Sequence, residues 1–209
     1  RYWEVGNEIY MEQDLTGAHM QADSYAERFL QFADVMKDAD DTISVGAIGG
    51  LNFGRYRTLS DDNWTETLLQ QAADRIDFLA VHNAYAPVVI GTGSDVDPRM
   101  VYRNMLTAPV LIEQNLDDLV TLLARYEPAD DPIELAVTEW GPMFHVMPDH
   151  PWVDHVKTMG SALFVASTLN VFLRNPRVTI ANAFKLTDFG FMGWIGRRGT
   201  GFAPTALSE

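Results

Sequence analysis

Apolar and polar positions along this chain switch repeatedly between a period of two and a period near 3.6. Tyr2, Trp3 and Val5 form a short strand-like run that stops at Gly6, and Asn7 and Glu8 follow at once. Tyr25, Phe29, Phe32 and Met36 recur at helical spacing and predict a helix over 22–38. "TISVGAIGG" (42–50) predicts a strand closed by Gly49 and Gly50. Asn63 is placed to cap a helix carrying Trp64, Leu68, Leu69 and Ala72. "IDFLAVHNAY" (76–85) is an apolar strand with a polar end, and 86–112, rich in Gly, Pro and Asp, reads as an irregular excursion. A helix is then expected from Asn115 or Leu116, with Leu116, Leu119, Val120 and Leu123 on one face. "IELAVTEWG" (133–141) is a strand, 152–174 a long apolar helix and "RVTIANAFKL" (177–186) the last strand. Pro204 is placed to open one more helix.

Five apolar strands alternating with four helices argue for an α/β fold of parallel strands covered by helices. An open nucleotide-binding sheet would show a Gly-rich turn after its first strand. Here "GNEIYMEQD" stands in that place and would repel a phosphate. Polar groups instead gather at every strand end: Asn7 and Glu8; Asn52; His82, Asn83 and Tyr85; Glu139 and Trp140; Lys185 and Asp188. That distribution suits a (β/α)8 TIM barrel, whose chemistry sits at the C-terminal ends of its strands. Five strands do not close such a barrel, so three β/α units, on the order of 100 residues, are expected elsewhere. Residues 1–209 are therefore read as a partial catalytic barrel with no second domain, completed by a second chain or an N-terminal segment.

Composition narrows the partners. A net charge of −14 disfavours nucleic acid, which needs a basic face. The most apolar stretch, 159–173, is too short to span a membrane and carries Ser161, Ser167, Thr168 and Asn170, so it reads as a core helix. With no cysteine, disulfides and thiolate metal sites are excluded. No targeting segment is visible, and both secretion and a cytoplasmic location stay open, as does a homo-oligomer. His145, His150 and His155 recur every five residues, not at the i, i+4 spacing of a helical metal pair, and read as a loop. "GTGSDVDPR" (91–99) lacks calcium-loop spacing, and Arg197 and Arg198 read as a solvated turn.

Glu8 and Glu139 carry the strongest chemical signal. Each stands at a strand end beside an amide or an aromatic group, Asn7 and Trp140. "YWEVGNE" resembles the strand-four motif of clan A glycoside hydrolases, and "LAVTEWG" their strand-seven motif, 131 residues on (139 − 8). "DFLAVHNAY" is similar to the strand-six segment between them. With "SYAERFLQFADVMKDADDTISVGAIGG" and "ANAFKLTD", the chain most resembles the α-L-arabinofuranosidases of family 51, from residue 1 to about 207. This resemblance implies that the chain supplies about strands four to eight of the barrel. It implies Glu8 as general acid/base and Glu139 as nucleophile of a retaining hydrolysis that needs no metal or cofactor. By the same likeness Asn7 would bond the sugar 2-hydroxyl and Tyr85 would bond Glu139. His82 or Asn83 would line that subsite, Trp140 would offer an aromatic wall, and Trp194 a second, with Phe189 and Phe191 as competitors. "HNAY" departs from the family's "HxY", and "KLTDFGFMGWI" from its usual run, which leaves β-xylosidase, endoglucanase or a non-catalytic carbohydrate-binding barrel as alternatives.

Overall fold

Short apolar runs become strands here, and the helices between them each bury one face. The computed structural model describes residues 1–11, 19–51, 63–89, 91–145, 147, 149–187, 193–198 and 201–204. In chain order the elements are β1 (Tyr2–Glu4), α1 (Ala22–Ala39), β2 (Ser44–Ile48), α2 (Trp64–Ala72), β3 (Phe78–Val81), β4 (Ala84–Tyr85), α3 (Pro98–Leu123), β5 (Glu134–Gly141), α4 (Met159–Arg174), β6 (Val178–Ala183), β7 (Ile195–Arg198) and β8 (Gly201–Pro204). The chain forms two compact units. One is Arg1–Asn83, Asn115–Thr138 and Pro176–Ile180; the other is Ala84–Gln114, Glu139–Asn175 and Ala181–Glu209.

In the first unit the strands run parallel in the order β1, β2, β3, β5, with Trp3 beside Val45, Gly46 beside Phe78, and Phe78 beside Glu134. Val45 to Ile48 and all of β3 are buried, which is why these strands are continuously apolar rather than alternating. Gly46 is required by close approach, because a Cβ there would lie 2.1 Å from the Phe78 ring. Helix α1 buries Ala22, Tyr25, Ala26, Phe29 and Ala33 at i, i+3 and i+4 spacing. Phe32, expected on that face, lies off the line and is 58% exposed. Asn63 precedes α2 as expected but makes no side-chain cap.

In the second unit β4 pairs parallel with the end of β5, Ala84 beside Trp140 and Tyr85 beside Gly141. The stretch 86–112 corrects the sequence expectation, because a helix of 26 residues begins at Pro98, not at Asn115 or Leu116. Proline suits a first helical turn, where its missing N–H is not needed. Val101, Met105, Ala108 and Ile112 are buried along one line of α3 in this unit, and Leu116, Leu119 and Leu123 further along the helix are buried in the first. Pro109 lies inside that line and masked it, since proline ordinarily breaks a helix interior. Helix α4 buries Ser161, Phe164, Val165, Thr168, Val171 and Phe172, while Met159, Leu163 and Leu173 are exposed. Strands β7 and β8 form an antiparallel hairpin that the sequence reading did not anticipate, and Pro204 ends β8 rather than opening a helix. No helix among the described residues is long and apolar enough to cross a membrane.

Candidate active site

In the first unit the last rung of β1 is Val5 N–H donating to Gly46 O at 3.0 Å, after which the chain turns through Gly6 at φ 100°. Glu8 follows with φ 44°, a left-handed backbone that non-glycine residues seldom adopt and that tends to persist where the surroundings over-determine it. Its carbonyl accepts from Met11 N at 2.8 Å, closing a short 3-10 turn over Ile9–Met11. The Glu8 carboxyl is partly open, with 27% of its side chain exposed, and its Oε1 lies 2.9 Å from Nδ1 of the buried His82. His82 Nε2 lies 3.2 Å from Thr138 Oγ1.

Strand register explains that last contact. Phe78 sits beside Glu134 and Val81 beside Val137, an offset of 56 (134 − 78 and 137 − 81), and the same offset carries His82 to Thr138. The imidazole thus joins Glu8 to β5. When Glu8 is ionised, Nδ1–H donates to it and Nε2 accepts from the threonine hydroxyl. When Glu8 holds a proton, its O–H donates to Nδ1 and Nε2–H donates to Thr138. Both states of the carboxyl are served by one ring, which suits a group that must give and take a proton. Thr138 escaped the sequence reading, and its signal was the strand register rather than any motif. Asn7 is exposed beside Glu8, and Asn83 is buried after His82.

In the second unit Tyr85 Oη donates to Glu139 Oε2 at 2.9 Å. Tyr85 stands beside Gly141, two residues beyond Glu139 on the same face of β5. A Cβ on Gly141 would also lie 2.9 Å from Phe184 O. Alternation sends Trp140 to the opposite face. There it is 1% exposed and meets Phe172 of α4 edge-on at 5.0 Å. The indole is core, so it presents no face to a sugar, and the aromatic wall expected of it is not formed. Trp194 is half-buried just before β7, its backbone N–H donating to Lys185 O at 3.0 Å. Asn52, Asp188, Phe189 and Phe191 lie outside the described residues, as do the side chains of Arg197 and Arg198.

The histidines after β5 make a loop. His145 and His150 stack with centroids 3.6 Å apart. Their Nδ1 atoms accept from Met147 N at 3.1 Å and Trp152 N at 3.3 Å. His150 Nε2 contacts Gly91 O at 2.9 Å, and Trp152 Nε1 donates to Gly93 O at 3.2 Å. These bonds tie the two histidines to the backbone of their own loop and of Gly91.

No protein-family model matches the chain, and no curated protein matches it. Solved structures do. An α-L-arabinofuranosidase from Thermotoga maritima, solved as an arabinose complex, is 24% identical with a TM-score of 0.72, over 99% of this chain and 38% of that one. The family 51 arabinofuranosidase of Xanthomonas axonopodis pv. citri is 20% identical with a TM-score of 0.74, over 99% and 40%. A family 44 endoglucanase from Clostridium thermocellum is 17% identical with a TM-score of 0.58, over 88% and 42%. The chain thus spans 38% and 40% of the two arabinofuranosidases. Parallel strands covered by helices, matched along nearly the whole chain, give it a family 51-like clan A fold, part of a (β/α)8 barrel.

Proposed function

We propose that this chain carries the two catalytic carboxyl groups of a retaining glycoside hydrolase that removes terminal α-L-arabinofuranosyl residues from polysaccharides or oligosaccharides. The observation that carries the reading is the likeness in fold, over 99% of the chain, to an arabinofuranosidase solved with arabinose. The hydrogen bonds on Glu8 and on Glu139 support the same assignment.

Hydrolysis then runs in two displacements. Glu139 attacks the anomeric carbon while Glu8 delivers its proton to the leaving oxygen, and the C–O bond to the aglycone breaks. Glu8, now a carboxylate, takes a proton from water, which cleaves the glycosyl–Glu139 ester and returns both groups to their starting states. The two oxygens must stand about 5–5.5 Å apart for this outcome. Tyr85 steadies the charge on Glu139 before attack. His82 holds Glu8 through both protonation states. Asn7 bonds the sugar 2-hydroxyl, Asn83 lines the subsite, and Trp194 supplies an aromatic surface.

A panel of nitrophenyl glycosides tests the substrate. The reading expects α-L-arabinofuranoside to be cleaved at least about tenfold faster than β-xyloside or β-glucoside, a discrimination on the scale one pocket contact provides. Preferred cleavage of β-glucan would move the reading to an endoglucanase. Sugar binding with no turnover on any substrate would make the barrel a binding module.

A further inference from the structure

The turn that carries Glu8 is flanked by contacts to helices α1 and α2. Tyr25 of α1 is 3% exposed, yet its hydroxyl is fully engaged, donating to Val5 O at 2.8 Å and accepting from Ile48 N at 2.8 Å. One oxygen therefore ties the end of β1 to the end of β2. Burial pushes the phenol well above its ordinary pKa, so the proton that bonds Val5 is held at every working pH. The Tyr25 ring stacks on Trp64 of α2 at 5.3 Å, and Trp64 Nε1 donates to Ile48 O at 2.8 Å. Trp64 also meets Tyr10 edge-on at 5.8 Å, and Tyr10 is itself buried.

Val5 and Tyr10 are thus two anchored points, with Gly6, Asn7, Glu8 and Ile9 between them. Within that short span Gly6 and Glu8 both take positive φ. A left-handed glutamate relaxes unless both ends of its turn are held. A tyrosine, rather than phenylalanine, at this core position of α1 is explained by the hydroxyl's two partners.

We propose that Tyr25, backed by Trp64, is a positioning residue for Glu8. It aims the carboxyl at the leaving-group oxygen without touching substrate. The proposal rests on the reading of Glu8 as the general acid/base. It predicts a specific kinetic signature, because a misaimed acid slows only those substrates whose leaving group needs the proton.

The test uses the full chain, Tyr25→Phe, and aryl glycosides of the sugar it cleaves, with leaving phenols of graded acidity. The variant is expected to slow phenyl glycoside by about tenfold in kcat/KM while dinitrophenyl glycoside changes by less than about twofold, a fraction of the usual general-acid contribution. Thr65→Val is the control. It removes a different buried bond of the same unit, Thr65 Oγ1 accepting from Gly50 N at 2.9 Å, and should slow every substrate alike or not at all. Equal slowing of all substrates by Tyr25→Phe, or the same tilt in Thr65→Val, would overturn the proposal. If Tyr25→Phe does not fold, Trp64→Phe, which loosens the Tyr10 anchor, must show the tilt, and its absence overturns the proposal. Glu8→Gln run on the same series separates the two ideas: no leaving-group dependence there removes the acid/base reading itself, whatever Tyr25 does.

Discussion

At the scale of single residues, two carboxyl groups are each held by one neighbouring side chain. Glu8 shares a hydrogen bond with His82, and Glu139 accepts one from Tyr85. Glu8→Gln and Glu139→Gln are each expected to lower kcat by about 10²-fold or more, the scale of lost acid–base or nucleophilic help. Unchanged turnover in either would remove that residue from the mechanism. Tyr85→Phe removes a bond to a charged group, worth about 1.5–3 kcal/mol, and should cost roughly tenfold or more in kcat/KM with the fold intact. Glu8 and Glu139 stood out in the sequence because each lies close to the C-terminal end of a strand in a recognisable local motif. The His82–Thr138 contact was not, since it depends on which residues two parallel strands bring level. Trp140 misled for a related reason. Its position next to Glu139 suggested a shared pocket, whereas neighbours in a strand point to opposite faces.

At the scale of elements, the parallel strands and the helices α1, α2 and α4 were readable from periodicity, the β7–β8 hairpin was not, and α3 was hidden by Pro109 and the glycines before it. The buried line along α3 is what overrides that proline. Leu119 is fully buried on it, and Leu119→Ala is expected to destabilise by about 2–5 kcal/mol in denaturant titrations. A loss under about 0.5 kcal/mol, the size of an ordinary surface change, would mean the line is not core. The loop after β5 carries a pH dependence. Burial first, then the neighbouring His150, holds His145 below the ordinary histidine value of 6.5, with Asp149 opposing. Burial likewise lowers His155, against Asp154, while Tyr102 Oη lies 2.9 Å from its Nδ1. Both groups take a proton more readily when unfolded. Their contribution to stability is therefore full above about pH 6.5 and is lost as pH falls through the window beneath it. Melting temperature should fall between about pH 7 and pH 5.5, and His155→Phe should flatten that fall. An unchanged slope in the variant would show that these rings do not titrate with folding.

At the scale of the whole molecule, fold similarity and chemistry carry different weights. Parallel strands with polar ends are a fold-level pattern that many activities share, so the assignment of function rests on particular residues. The acidic surface, with a net charge of −14, is compatible with an uncharged sugar substrate and disfavours polyanions. The central claim is that Glu139 forms a covalent bond to the sugar in the course of hydrolysis. It is tested most directly by incubating the active enzyme with a 2-deoxy-2-fluoro glycoside bearing a good leaving group, then digesting and sequencing the labelled peptide by mass spectrometry. The account predicts a single added glycosyl mass on Glu139, with hydrolysis blocked in proportion. A label on another residue, or turnover stopped with no covalent mass on the chain, would contradict it.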